Sequence, residues 1–246
     1  MQRKKVGAAF AVVCFGTIAL LFWHGSQPAQ GQSRPTQKQT QKKPLAVDDV
    51  DTESSRVYIH VGKTGFGHEH AVAGRIKAGE IHLGASKNAG TIVFDMTSFV
   101  AGTAVARRYI GLKGTASAST ARKVTANMLG KDILNVRQFP TATFTVSSAL
   151  PMKKKSSVGH LQYLLDGKFT LHGVTQPLKL TVEANEKNGK VHLRGGFAIF
   201  QSSFGITPYS TAFGTIGVAD RLTIYGEIDV VKDAKLTRKN GKSLRR

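Results

Sequence analysis

An antiparallel barrel of about eight strands, closed around an apolar interior and capped by one short helix, is the fold this sequence predicts. Three observations lead there. From Arg56 to Val231 apolar residues recur with a period of two in segment after segment, as strands with one dry and one wet face require. Only Ala121 to Leu134 breaks that period convincingly, in the manner of a short amphipathic helix, which is too little helix to cover a second layer. The strand read over residues 160–172 is also long: at about 3.3 Å per residue it spans roughly 40 Å, which favours a tall barrel over a sandwich.

The elements follow in order. Arg3, Lys4 and Lys5 precede an uncharged apolar run from Val6 to Trp23, the basic and apolar regions of an export signal. The run has 18 residues, long for a cleaved signal and just long enough to span a bilayer. Residues 1–23 are therefore expected to be either a signal peptide or an uncleaved anchor with its N-terminus in the cytoplasm. Residues 24–54 are the expected linker; up to residue 47 they are rich in Gln, Lys, Pro and Thr, with too few apolar groups to offset the entropy of ordering. The barrel is expected over residues 55–231. Val57, Ile59 and Val61 mark its first strand, and Ile92 with Phe94, then Phe144 with Val146, mark later ones. On the long strand Leu161, Tyr163, Leu165, Phe169 and Leu171 share one face, opposite Gln162, Asp166, Lys168 and Thr170. Leu178, Leu180, Val182 and Ala184 continue the pattern, the pair Asn188-Gly189 marks a hairpin turn, and Leu222, Ile224, Ile228 and Val230 close the sheet. Gly111 to Thr120 reads as a loop leading into the helix, which is placed to cap one end. Residues 232–246 are a basic tail.

The formal charge of +20 invites a nucleic-acid reading that its distribution argues against. Residues 1–45 and 232–246 together carry +13 of it. No aromatic residue is interleaved with the cations of the C-terminal tail, so the usual stacking platform for single strands is missing. No specific nucleic-acid partner is expected. Cys14 is the one cysteine and lies inside the first apolar run, which excludes a disulfide framework or cysteine metal cluster within one chain.

Four segments, in order and in register, resemble the YceI-like family of exported, lipocalin-like barrels. Val57-Tyr58-Ile59-His60-Val61 through Gly67-His68-Glu69-His70-Ala71-Val72-Ala73-Gly74-Arg75-Ile76 resembles its first hairpin. Leu134-Asn135-Val136-Arg137-Gln138-Phe139-Pro140-Thr141-Ala142-Thr143-Phe144 is similar to a pattern that enters one of its strands. So are Gly167-Lys168-Phe169-Thr170-Leu171-His172-Gly173-Val174-Thr175-Gln176-Pro177-Leu178, and Phe204-Gly205-Ile206 followed by Val218-Ala219-Asp220-Arg221-Leu222-Thr223-Ile224. The resemblance covers Ser55 to Val231. It implies an extended eight-stranded lipocalin-like barrel in the periplasm or another extracytoplasmic space, whose lumen binds a long-chain isoprenoid, an isoprenoid quinone or a similar amphiphile without catalysis. The chain departs from the family where an acidic residue and a histidine often precede the second segment: Ala126-Asn127-Met128-Leu129 stand there instead. A head-group contact at that place is not carried over.

Phe94, Phe144, Tyr163, Phe169, Phe197 and Phe204 are the expected interior, ligand-facing residues, although a Phe-rich face suits a solid core as well as a cavity. Arg107 and Arg108 are candidates for an anionic head group, because guanidinium meets phosphate bidentately. His68-Glu69-His70 is the sharpest polar cluster, since residues two apart on a strand face the same way and could offer two imidazoles to a metal. A third ligand is absent from the local sequence, and His60, His82 and His192 are conceivable neighbours. Ser117, Ser119, His160 and Asp166 supply the atoms of a hydrolase, but none sits in a nucleophile elbow. Neither an enzyme nor a resident cofactor is expected. The sequence leaves three readings: a lumen carrier of an apolar lipid, held at the membrane through residues 6–23 if these stay uncleaved; a solid barrel acting through its surface or basic tail; and a histidine-based metal binder.

Overall fold

The computed structural model describes residues 48–231 apart from Ala212; the expected signal or anchor, the linker up to residue 47 and the tail from residue 232 lie outside the described residues. The strands are β1 (Arg56–Gly65), β2 (His70–Ile81), β3 (Gly90–Ala101), β4 (Thr141–Pro151), β5 (Leu161–Leu171), β6 (Val174–Lys187), β7 (Lys190–Phe200), β8 (Ser210–Thr211) and β9 (Ile216–Val231). Each long strand pairs antiparallel with the next, β7 passes to β9, and β9 returns to β1, so eight strands close and no long edge remains. β8 is a two-residue flap on β9. Two tight turns follow from local chemistry. Asn188 and Gly189 take φ of 52° and 73°, and His172 and Gly173 take 52° and 77°, the left-handed pair that matches the twist of a two-residue hairpin. The strand expected over 160–172 therefore ends at Leu171, and His172 belongs to the turn.

Two helices lie between β3 and β4. The one expected over 121–134 is α2, Ala118–Leu129: it starts earlier because Ser117 caps it, its hydroxyl accepting from the Thr120 N–H at 3.1 Å. It stops at Gly130, whose backbone turns extended. The other, α1 (Ala104–Ile110), was not expected; Thr103 caps its start and Gly111, at φ 84°, its end. α1 packs on the outside of the barrel. Its Ala106 and Tyr109 meet Ala71, Tyr58 and Tyr225, the outward residues of β2, β1 and β9.

The barrel also begins before its first strand. Residues 48–54, assigned above to the linker, are bridged to it: the Val50 N–H donates to Gly79 O at 2.9 Å and the Asp51 N–H to Asp229 O at 2.7 Å. Val50 is 2 % exposed and Ser55 fully buried. These backbone bonds and the one buried valine outweigh a composition that reads as linker. This segment lies across the end of the barrel that carries the β2–β3, β4–β5 and β6–β7 turns. The opposite end, with α2 over it, is the mouth.

Candidate ligand-binding site

Successive side chains of a strand point to opposite faces, so Val57, Ile59 and Val61 face inward while Tyr58 and His60 face out. Many inward apolar residues are only half-buried: Ile59, Val61, Leu178, Leu180, Phe197, Leu222 and Ile228 pack against the core without being sealed by it. The interior is hollow. Behind the mouth lies a cavity of about 170 Å³ with an almost wholly apolar wall, formed by inward residues such as Val72, Met96, Phe169 and Ile199 and roofed by Val124, Asn127 and Met128 of α2. α2 is held there by Thr125, whose hydroxyl accepts from the Ala101 N–H at 3.0 Å. Space for the rings is made by omission in one place: a Cβ on Gly74 would lie 2.4 Å from the Phe99 ring.

The few polar groups on the wall sit at the mouth: His70, Asn127, Gln201 and Tyr209. Gln201 is buried and spends its amide N–H on Ala219 O at 2.9 Å. Burial, with the charges of His68 and Arg107 adding to it, holds the His70 imidazole below its ordinary pKa, so it is neutral at pH 7. An apolar barrel with a thin polar rim suits a ligand whose body is hydrocarbon and whose end is polar.

The model of the YceI-like domain matches residues 49–230. The chain belongs to the YceI-like family. Solved structures with a similar outline include BcnA of Burkholderia cenocepacia, 18 % identical with a TM-score of 0.47 and covering 74 % of this chain and 99 % of that one. Another is a polyisoprenoid-binding domain from Saccharophagus degradans implicated in plant cell wall breakdown, at 11 % identity and TM-score 0.47, covering 76 % and 100 %. A third is the YceI protein of Campylobacter jejuni, at 14 % identity and TM-score 0.41, covering 65 % and 84 %. No curated protein matches the chain.

Within this YceI-like barrel the expected interior residues divide. Phe94, Phe169 and Phe197 line the cavity, and Phe144 lines a smaller space beneath it. Phe204 sits on the short turn after β7, buried and edge-on to Phe169 with centroids 5.8 Å apart, as support rather than lining. Tyr163 packs half-buried against the core, away from the cavity wall. The arginines lie on α1, outside. Arg107 turns back to Gly114 O at 2.9 Å and to Lys113 O, which ties α1 to the following loop, and Arg108 is exposed.

His68 and His70 do not share a strand face, because β2 begins only at His70. His68 is exposed, His70 turns to the cavity, and Glu69 between them accepts from His60 at 3.0 Å. Among the described residues no three His, Cys, Asp or Glu side chains are grouped to hold a metal ion. The hydrolase residues also part company. Ser117 caps α2 near the mouth, while His160 opens the long strand at the far end and faces Glu183 at 3.6 Å. Asp166 pairs with Lys179 at 2.8 Å.

What sequence reasoning missed is the outer wall beside α1. The Tyr109 ring stacks on Tyr58 at 4.1 Å and 16°, Tyr225 stands edge-on at 5.8 Å, and the Arg194 guanidinium lies 5.7 Å from the Tyr109 centroid. The Tyr109 hydroxyl donates to Glu227 at 2.5 Å; burial and that carboxylate push its pKa up to about 12. Glu227 also accepts from Arg194 at 2.8 Å and from His192 at 2.6 Å, and the second ring nitrogen of His192 reaches Asp229 at 2.7 Å. Burial alone would lower the His192 pKa, but the two carboxylates outweigh it and hold it above the ordinary value. The capping signals Thr103 and Gly111 could have located α1; nothing in the sequence paired its tyrosine with two others far along the chain.

Proposed function

We propose that this chain is a noncatalytic binder of a long-chain isoprenoid or similar amphiphilic lipid, held in the barrel lumen on the extracytoplasmic side of a membrane. One observation carries the reading: the interior of a YceI-like barrel is a cavity of about 170 Å³ with an apolar wall and its polar groups gathered at one rim. Binding is burial. Each methylene withdrawn from water contributes about 0.8 kcal/mol, so affinity grows with the length of chain accommodated. The rim residues His70, Asn127, Gln201 and Tyr209 meet the polar end and set its orientation. Export rests on the run from Val6 to Trp23 preceded by three cations, which serves as a cleaved signal or an anchor.

The test is native mass spectrometry of the purified full chain followed by organic extraction. A co-purified apolar molecule of defined mass is the expected result, and added prenyl lipid should bind almost independently of salt, as desolvated apolar contacts do. A bare polypeptide that ignores prenyl lipids, or one whose binding falls steeply with salt, would transfer the function to the basic outer surface.

A further inference from the structure

The two ends of the barrel differ in what they show to solvent. Among the described residues the two most exposed large apolar side chains are both phenylalanines, and both stand at the mouth: Phe66, 83 % exposed, in the β1–β2 turn, and Phe213, fully exposed, in the loop between β8 and β9. Their loops adjoin. The Phe66 N–H donates to Thr215 O at 2.9 Å, and Gly65 at the end of β1 pairs with Ile216 at the start of β9. Ile216 and Tyr209 are exposed there too, and Tyr209 lines the rim of the cavity.

Nothing in the fold calls for a phenylalanine at 213. Its φ is 56° and that of Gly214 is 86°, left-handed values in succession. At the far end of the barrel Asn188 and Gly189 hold 52° and 73°, and asparagine suits that region because its short polar side chain tolerates it. Phe213 has no such relief and no core to pack against, so backbone strain and exposed apolar area coincide at one tip. Burial of the ring against another surface offsets both.

Charge separates the ends in the same sense. The four connections at the mouth, residues 66–69, 102–140, 172–173 and 201–215, hold seven Lys and Arg against two Asp and Glu. Both of those acids already face a basic partner, Glu69 meeting His60 at 3.0 Å and Asp132 meeting Lys131 at 3.6 Å. Among the described residues the connections of the far end, 48–55, 82–89, 152–160 and 188–189, hold four of each. The roof itself is basic: α2 has no acidic residue, and while Val124 and Met128 face the cavity, Arg122 and Lys123 are exposed. The basic tail from residue 232 follows β9 at the far end, so cationic attraction alone would not orient the barrel. The two phenylalanines do.

Apolar tips beside a cationic surface fit an anionic bilayer, whose head groups attract the cations and whose hydrocarbon edge takes the rings. We propose that the mouth docks on an anionic bilayer surface, with Phe66 and Phe213 inserted at the hydrocarbon edge and Arg122 and Lys123 over the head groups. Each ring leaving water strengthens docking by at least about tenfold. An apolar ligand then passes between membrane and lumen without crossing water. Docking itself needs no ligand, so it and lumen binding stand or fall separately. An uncleaved anchor is compatible with this orientation, because residues 24–47 reach up to about 80 Å, farther than the roughly 50 Å of the longest strand, β9.

The experiment places a tryptophan at each tip of the full chain, with Trp23, the one tryptophan, replaced by Phe so that the new indole reports alone. Phe66→Trp, Phe213→Trp and Val158→Trp are compared; Val158 is exposed in the β4–β5 turn beside Lys153, Lys154 and Lys155, the rival basic tip at the far end. All three positions are on the surface, so the core is untouched. Vesicles of equal parts phosphatidylglycerol and brominated phosphatidylcholine should shift the emission of both mouth reporters to shorter wavelength and quench it, and leave Val158→Trp unchanged. Arg122→Gln with Lys123→Gln should weaken docking by roughly 25-fold, at about fivefold per cation near an anionic surface. Mouth reporters that are not quenched, or a Val158→Trp quenched as strongly, would overturn the proposal, the second outcome assigning any docking to the β4–β5 turn. Equal quenching by vesicles of phosphatidylcholine alone would overturn the requirement for anionic lipid.

Discussion

Two aromatic clusters lie on opposite faces of the barrel wall, the inner one on β3, β5, β7 and the turn after β7, the outer one on β1, β9 and α1. Inside, Phe169 is met edge-on by Phe94, Phe197 and Phe204 at 5.7 to 6.0 Å. Outside, Tyr109 is stacked on Tyr58, flanked by Tyr225 and Arg194, and fastened through its hydroxyl to Glu227. On β9 the two faces are neighbours in sequence, Ile224 inward and Tyr225 outward. The difference is the polar handle. A tyrosine hydroxyl and a guanidinium have directional partners, so the outer cluster has one geometry and pins α1 to the wall. The phenylalanines carry no polar handle and are held by packing alone, edge-on to one another.

That contrast can be broken from the inside first. Phe169→Asp places a carboxylate without a partner at the hub of the inner cluster; a loss on the order of 3–5 kcal/mol is expected, read as a fall in the urea midpoint together with loss of lipid binding. A folded variant that still binds lipid would mean that Phe169 does not face the ligand.

The next effect comes from acid. Lys190 donates to Asp51 at 2.5 Å, and that bond, against the opposing cost of burial, lowers the Asp51 pKa to about 2. The folded pKa lies below the unfolded one, so the pair's contribution is complete above pH 4 and disappears as the pH falls from about 4 to 2, costing about 2 kcal/mol. Asp51→Asn should flatten that part of the stability profile.

On the outer face, Tyr109→Phe keeps the ring and removes the hydrogen bond to Glu227; about 1 kcal/mol is expected in the melting curve, with lipid affinity unchanged. An equal loss of affinity would show that the two clusters are coupled through the wall. His192 contributes less because it is part-exposed. Its folded pKa is raised, so its contribution is complete below about pH 6.5 and is lost as the pH rises through the folded value. His192→Gln should remove that alkaline decline and leave the acid limb in place. Smallest of all, Arg108→Ala should change neither stability nor affinity, within about 0.5 kcal/mol, because Arg108 is exposed on a helix outside the barrel; a clear loss of affinity for a prenyl phosphate alone would restore it as a head-group ligand.

The barrel was legible because strand burial is written every second residue. The Asn188-Gly189 turn stands as read, and of the Phe169 face Leu165, Phe169 and Leu171 are buried, while Leu161 at the start of the strand is exposed. The cavity was legible only in part. Phe94, Phe169 and Phe197 could be named as inward, but whether they filled the lumen or lined it depends on how eight strands stagger around it. Arg107 illustrates the limit: its charge suggested an anion, yet the helix that carries it lies on the outer wall and turns its guanidinium to backbone carbonyls.

By itself the sequence determined the class of fold, the inward face of most of the long strands and the chain's place in its family, since alternation, turn chemistry and motif order are properties of short segments. Tertiary structure alone decided that the interior is hollow, that residues 48–55 close one end and that three tyrosines clamp α1. Each of these depends on residues from distant strands meeting across a closed barrel, and a void is a shortfall of volume that no single segment records.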